Sequence, residues 1–367
     1  MTIRTLHVLA DAAPSSARRR VRLLVQGLES LGQPAVLAAR TSDEFSRAAA
    51  EGLRFLDISP KSAFDVEAGW HLARLIGDVK PDVVHAHDAM GVALSAMALQ
   101  MRHEVTPAPS LVDSRRTDLH LDRRAFARFT HSRVDAYLAA SEVIHRLLLD
   151  DGVPADRVTT VHDGVNVRAI DHVQATDIHA EFWLPHGAPV VGNAATLVRH
   201  KGHRYLVAAA ALVVPKVPDA RFLIIGDGDQ RPALDKQIAD LGLERHVVLA
   251  GHRADALALV KALDIFVSSS ITESLGSAVL EAMACRRPVV GTRAGGIKDA
   301  IVDGETGLLV PPQDEQALAS AIVSLLGDAG LRARLAEAGR QRVETTFSVE
   351  RQVARTLEVY RRLRGRQ

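Results

Sequence analysis

The feature that most constrains this chain is a recurrence: twelve short apolar runs, separated by segments of helical character, fall into two series of six. The first series is TLHVLA (5–10), PAVLAAR (34–40), DVVHAHD (82–88), PSLVDS (109–114), DAYLAAS (135–141) and RVTTVHDG (157–164). The second is APVVGNAA (188–195), RFLIIGDG (221–228), HVVLAG (246–251), DIFVSSS (264–270), RPVVGTRAG (287–295) and GLLVP (307–311). Short runs rich in β-branched residues read as buried strands, and their alternation with helices predicts parallel sheets covered on both faces. Twelve strands are too many for one ordinary open sheet, so two sheets of about six are expected, which suits 367 residues.

The series are separated by NVRAIDHVQATDIHAEFWLPHGAP (166–189), polar and irregular enough to read as the linker. This divides the chain into two domains, 1–167 and 168–349, with a closing helix over 350–367 that packs back on the first. Composition matters mainly for what it excludes. Lys plus Arg number 45 against 44 Asp plus Glu, so the chain lacks the basic excess of a nucleic-acid binder. The single cysteine, Cys285, can form no internal disulfide, and its neighbours Ala282, Met283 and Ala284 make it a packing residue. No apolar run reaches the roughly 18 residues of a membrane span, and MTIRTLHVLADAAPSS reads as strand and loop, so the cytoplasm is expected.

Two acids stand out in ITESLGSAVLEAMACRRPVV (271–290). Glu273 lies in the loop leaving the strand DIFVSSS, and Glu281 lies about one turn inside the helix entered through Gly276 and Ser277. Open parallel sheets bind ligands beyond the carboxyl ends of their strands, where helix N-termini offer N–H groups to an anion. Acids flanking such a site suit hydroxyls. In LVRHKGHRYLVAAA (197–210) Arg199 and Lys201 flank another strand–helix junction, and with the Glu273 region they make a candidate diphosphate site. GDGD (226–229) resembles the start of a dinucleotide fingerprint, but Arg231 occupies the third glycine position, and Asp227-Gly228-Asp229 suits turn geometry better than metal ligation.

In the first half, HAHD (85–88) ends a strand, so His87 or Asp88 is positioned to face a ligand. SRRTDLHLDRR (114–124) adds Arg115, Arg116 and His120, an arrangement suited to an anionic acceptor. For each of these residues a plain structural role stays open.

The segment 196–312 resembles the retaining nucleotide-sugar-dependent glycosyltransferases of family 4, with the GT-B fold of two Rossmann-like parallel-sheet domains facing an inter-domain cleft. The resemblance is carried by KGH (201–203), the strand–GDG turn, Glu273 and Glu281 in an E-x7-E spacing, EAMACRRPVVGT (281–292), RAGGIKDAI (293–301) and DGETGLLVPPQD (303–314). HAHD, residues 140–165 and the closing helix extend it over nearly the whole chain. It implies that Lys201, assisted by Arg199, binds the donor diphosphate, that Glu281 binds the ribose, and that Glu273 binds hydroxyls of the transferred sugar. The N–H groups of Leu275, Gly276 and Ser277 then help to hold phosphate and sugar, His252 and Arg253 frame the base, and His87 joins Glu273 at the reacting centre.

The reaction this resemblance implies is retaining transfer of a hexose to a lipopolysaccharide or other cell-envelope glycan, with no cofactor or metal besides the nucleotide-diphosphate sugar. A small-molecule acceptor, or an inactive nucleotide-sugar-binding protein, are the alternatives. Thr196 stands where the family carries arginine, Ser274 where it carries glycine, and Lys298-Asp299 where it carries Pro-Glu. APSSARRR (13–20) replaces a glycine-rich loop, and its Arg18, Arg19 and Arg20, with Arg22, suggest peripheral contact with anionic lipid at the inner face of the membrane.

Overall fold

The computed structural model describes residues 2–12, 15–102, 108–122 and 125–365. It divides into two compact units, Met1–Gly164 with Val349–Gln367, and Val165–Ser348. In the first unit the strands are β1 (Thr5–Leu9), β2 (Ala35–Ala39), β3 (Phe55–Asp57), β4 (Val83–Ala86), β5 (Ser110–Arg115), β6 (Ala136–Ala139) and β7 (Val158–Thr160). They form one parallel sheet in the order β3-β2-β1-β4-β5-β6-β7. The second unit contains β8 (Val190–Ala194), β9 (Arg221–Ile225), β10 (Val247–Gly251), β11 (Ile265–Ser268), β12 (Val289–Thr292) and β13 (Leu308–Val310), ordered β10-β9-β8-β11-β12-β13.

Both orders reverse direction once, at β1/β4 and at β8/β11. In a doubly wound sheet that reversal opens a crevice beyond the strand ends, because the flanking connections leave to opposite faces. Each sheet is buried on both sides by apolar clusters. Leu6, Val84 and Leu111 serve one face of the first sheet, and Leu24, Leu37 and Tyr360 the other. Phe266 and Met283 cover one face of the second sheet, and Val207 and Phe222 the other.

The structure corrects three expectations. The first sheet has seven strands: Phe55–Asp57 is a three-residue edge strand, too short and too exposed to show alternation. The segment expected as a linker forms the helices Val167–His172 and Ile178–Glu181, and Val165, Val167, Ile170 and Ile178 enter the core of the second unit. The expected loop at 13–20 is largely a helix, Ser15–Ser30, while residues 13 and 14 lie outside the described residues. On that helix Arg18 and Arg22 meet Glu44 at 3.5 and 3.3 Å, and Arg20 meets Asp163 at 3.2 Å.

The closing helix Val349–Arg364 packs on Ser15–Ser30 within the first unit, burying Val353, Leu357 and Tyr360. Gly27 marks their close approach, since a Cβ there would stand 2.5 Å from Val353 Cγ2.

Candidate active site

At the β8/β11 crossover two loops interlock. The loop after β8 turns at Gly202, whose φ of 67° is left-handed and whose missing Cβ would lie 2.1 Å from the Ser269 carbonyl. Ser269 Oγ donates to the Lys201 carbonyl at 3.2 Å, and the Ile271 N–H to His200 O at 2.7 Å. Lys201 Nζ is thereby brought to Glu273 Oε2 at 2.5 Å, although 72 residues separate them. Ser270 Oγ also donates to that oxygen, at 3.3 Å.

The backbone of Glu273 is held from a third loop, where the Gly296 N–H donates to its carbonyl at 2.9 Å. Gly295, at φ 47°, permits this, because a Cβ would fall 1.8 Å from Glu273 O. Lys201 and Glu273 keep 23% and 15% of their side-chain exposure, enough to meet a ligand yet low enough to strengthen their interaction beyond that of a surface pair.

The helix Ser277–Ala284 starts beside them at Gly276, which is left-handed at φ 80° and supplies no capping side chain. The Val279 N–H already donates to the Gly276 carbonyl at 2.9 Å, which leaves the N–H groups of Ser277 and Ala278 without a helical acceptor at an end where an anion is stabilised. Leu275 is buried, Ser277 is exposed, and Glu281 is half-buried in the second turn. Hydroxyl-accepting carboxylates, a lysine and free helix N–H groups together suit a polar, anionic ligand rich in hydroxyls.

Other sequence candidates have local partners. Arg253 is shared between Asp255, at 2.6 Å, and Glu181, which fix its guanidinium and raise its pKa further. His252 is exposed, as is Arg199, which lines a surface groove with Tyr205, Gln230 and Glu315. Asp227 accepts the Gly228 N–H at 2.8 Å, so GDGD closes its own turn. Cys285 is buried, and burial pushes its thiol up to about 12.

In the first unit the structure joins His87 with Arg116. Arg116 Nε donates to both oxygens of Asp163 at 3.0 Å, and its Nη1 approaches His87 Nδ1 at 3.4 Å. Arg115 and His120 instead build the loop that follows β5. Arg115 donates to the Leu119 carbonyl at 2.7 Å, and His120 Nδ1 pairs with Asp151 Oδ1 at 2.7 Å.

Behind His87 lies a residue that sequence reasoning passed over, His7 on β1, directly in register with His85 on β4. The rings of His7, His85 and His87 are buried and bring potential ligand nitrogens within 4.8 Å of one another. Each ring nitrogen nevertheless has a hydrogen-bond partner: Thr5 and His87 for His7, Tyr360 and Ser114 for His85, His7 and Arg116 for His87. Burial holds all three well below the ordinary imidazole range, His7 at about 3. A satisfied neutral cluster beside a guanidinium is a poor seat for a metal cation.

Comparison with known proteins shows the family to which the chain is related. Residues 174–342 match the family Glycosyl transferases group 1, and residues 17–169 match Glycosyltransferase Family 4. The chain is 37% identical over 185 residues to the lipopolysaccharide core biosynthesis glycosyltransferase LpsE of Rhizobium meliloti, covering 50% of this chain and about half, 53%, of that relative. It is 30% identical over 310 residues to the 2-deoxystreptamine N-acetyl-D-glucosaminyltransferase of Streptomyces fradiae, covering 78% of this chain and 72% of the relative. Anabaena HepE, crystallised in complex with UDP, superposes with a TM-score of 0.83 at 20% identity over 97% of this chain and 100% of that one, a likeness of fold.

Proposed function

Because the chain belongs to glycosyltransferase family 4, we propose that it is a retaining glycosyltransferase that moves a sugar from a nucleotide-diphosphate sugar to an acceptor hydroxyl without a metal. The observation that carries this is the Lys201–Glu273 pair at the β8/β11 crossover, beside the uncapped helix start at Gly276. Lys201 and the helix N–H groups meet the diphosphate and stabilise its growing negative charge as the sugar bond breaks. Glu273 accepts from sugar hydroxyls and Glu281 from the ribose. On the acceptor side Arg116 and His87 form the polar group at the end of the first sheet.

The acceptor we favour is a cell-envelope glycan, in keeping with the lipopolysaccharide core relative. A small soluble acceptor is the alternative, favoured by the 2-deoxystreptamine transferase relative. Among the described residues no helix is long and apolar enough to cross a membrane. Peripheral attachment at the inner face of the membrane belongs to the first alternative, through the exposed Phe64, Val66 and Trp70. Vesicle sedimentation that Trp70→Asp leaves unchanged removes that surface from consideration.

Thermal unfolding with UDP, GDP, ADP, dTDP and their sugar conjugates tests the donor site. A ligand bound only by the folded state stabilises it by about 2.7 kcal/mol at 100 times its dissociation constant. One donor class is expected to shift the transition, and Lys201→Ala or Glu281→Ala to abolish that shift. No shift with any of them defeats the proposal. Turnover in a chelator, with the anomeric configuration of the product read by NMR, tests metal independence and retention. Donor binding without turnover across a broad acceptor panel identifies an inactive binding protein.

A further inference from the structure

The polar chain behind Arg116 has a direction. A guanidinium donates hydrogen bonds and accepts none, so His87 Nδ1, 3.4 Å from Arg116 Nη1, must be the bare nitrogen of its ring. In a neutral imidazole the proton then sits on Nε2, which lies 3.0 Å from His7 Nδ1. His7 Nδ1 must accept, its own proton moves to Nε2, and that N–H donates to Thr5 Oγ1 at 3.1 Å. The reverse direction would set two donors face to face at Arg116. Asp163 fixes the surface end by gripping Arg116 Nε, and Gln352 Nε2 donates to Asp163 Oδ1 at 3.2 Å.

Burial grades along the chain. Thr5 and His7 have no exposure and His87 has 6%, while the Arg116 side chain keeps 15%. The open end is therefore where the His87 lone pair and the Arg116 guanidinium meet.

We infer that His7 is a positioning residue: through Thr5 on one side and His87 on the other, it fixes His87 as the Nε2–H tautomer, so that the first unit offers a ligand hydroxyl an acceptor nitrogen beside a guanidinium donor. A hydroxyl that displaces Arg116 Nη1 donates its hydrogen to His87 Nδ1. An anionic group on the same ligand meets Arg116, whose Nε stays on Asp163. The role in turnover rests on the transferase function proposed above, whereas the tautomer does not.

Long-range proton–nitrogen NMR correlation of the ring nitrogens in the labelled full chain, near neutral pH, reads the tautomers directly. His7 and His87 are expected to carry their protons on Nε2 alone. Thr5→Val removes the terminal acceptor with little change in size. It should mix the His87 tautomers and lower transferase turnover about tenfold with the donor KM unchanged. His7→Asn keeps an acceptor oxygen in place of Nδ1 and should retain both the His87 tautomer and the turnover, which His7→Phe should not.

A wild-type His87 protonated on Nδ1 overturns the inference. So does a Thr5→Val protein with unaltered ring spectrum and turnover. Should His7→Phe fail to fold, wild type and Thr5→Val still decide. Should the tautomers be as stated while no nucleotide sugar is turned over, the proposed transferase function fails and the relay stands.

Discussion

The two units reverse their strand order at equivalent places, yet they furnish those places in opposite ways. At β8/β11 the site is made by removing side chains. Gly202 and Gly295 let backbone approach backbone, Gly276 supplies the left-handed turn into the helix, and beside them sits one charged pair that keeps partial exposure. At β1/β4 the site is made by filling it: imidazoles from both strands bond to one another and to Thr5, Ser114, Tyr360 and Arg116. The first arrangement leaves backbone N–H groups and charge for a ligand. The second spends its polar groups on holding each other, and delivers only the last member of the chain. The same sheet topology therefore supports a binding cradle in one unit and a rigid polar scaffold in the other.

The widest separation between the two should appear in activity. Lys201→Ala or Glu273→Ala removes a group that acts on developing charge or on the transferred sugar. A loss of about 1,000-fold in transfer is expected, near 4 kcal/mol of barrier. Glu281→Ala should instead weaken nucleotide-sugar binding about 10- to 100-fold. Initial rates and calorimetric donor titration measure the two effects. Wild-type kinetics in both glutamate variants would break the picture of a cradle at β8/β11.

Next in size is the effect of adding a methyl group. Gly295→Ala forces a left-handed φ on a residue with a Cβ and sets that Cβ 1.8 Å from the Glu273 carbonyl, backbone against backbone. A cost of about 2–4 kcal/mol in urea denaturation is expected, with Glu273 displaced. Gly91 in the first unit has a helical backbone, and its added Cβ would come only 3.0 Å from Val8 O. Gly91→Ala should cost about 1 kcal/mol. Equal costs would show that close backbone approach is not particular to the second unit.

The same contrast explains what could be read from the sequence. Glycines and acids at fixed spacing after apolar runs announce themselves without any pairing information, so the KGH and E-x7-E segments were legible, as were all six strands of the second sheet. His7 was hidden because one histidine inside TLHVLA disturbs no pattern, and its meaning arises only from its register with His85. The pairings of Arg253 with Glu181 and of His120 with Asp151 could not be read from the sequence, because the partners lie 72 and 31 residues away. The helices at 167–172 and 178–181 escaped notice because each buries only one or two apolar residues among polar ones, less than a period needs to show. The ion pairs of the arginines at 18, 20 and 22 were hidden because Glu44 and Asp163 become their neighbours only on folding.

The smallest effect lies in the acid response of the first unit. His7 is held at about 3, and His85 and His87 well below their ordinary value, by burial. The unfolded chain protonates these rings from about pH 6.5 downward while the folded one refuses, so His7 costs about 1.4 kcal/mol per pH unit as pH falls toward 3, and His85 and His87 act in the same direction. Asp113 runs the other way. Burial raises its carboxyl from 3.8 to about 7, so between those values the folded state holds a proton that the unfolded state releases. Its contribution is present at low pH and lost as pH rises through 7, and on acidification it offsets one histidine. Asp113→Asn removes that offset. The acid limb of stability between pH 4 and 6.5 should steepen by about 1.4 kcal/mol per pH unit, and the variant should gain stability at pH 8, where the wild type must bury a charge. Urea titrations at stepped pH give the slope, and hydrogen exchange assigns it to a unit. In the second unit His203, held at about 4 by burial, should show the slope of one histidine without the Asp113 offset. If Asp113→Asn leaves the first unit's slope unchanged, the carboxyl is already ionised in the folded state, and β5 carries a buried charge beside β4.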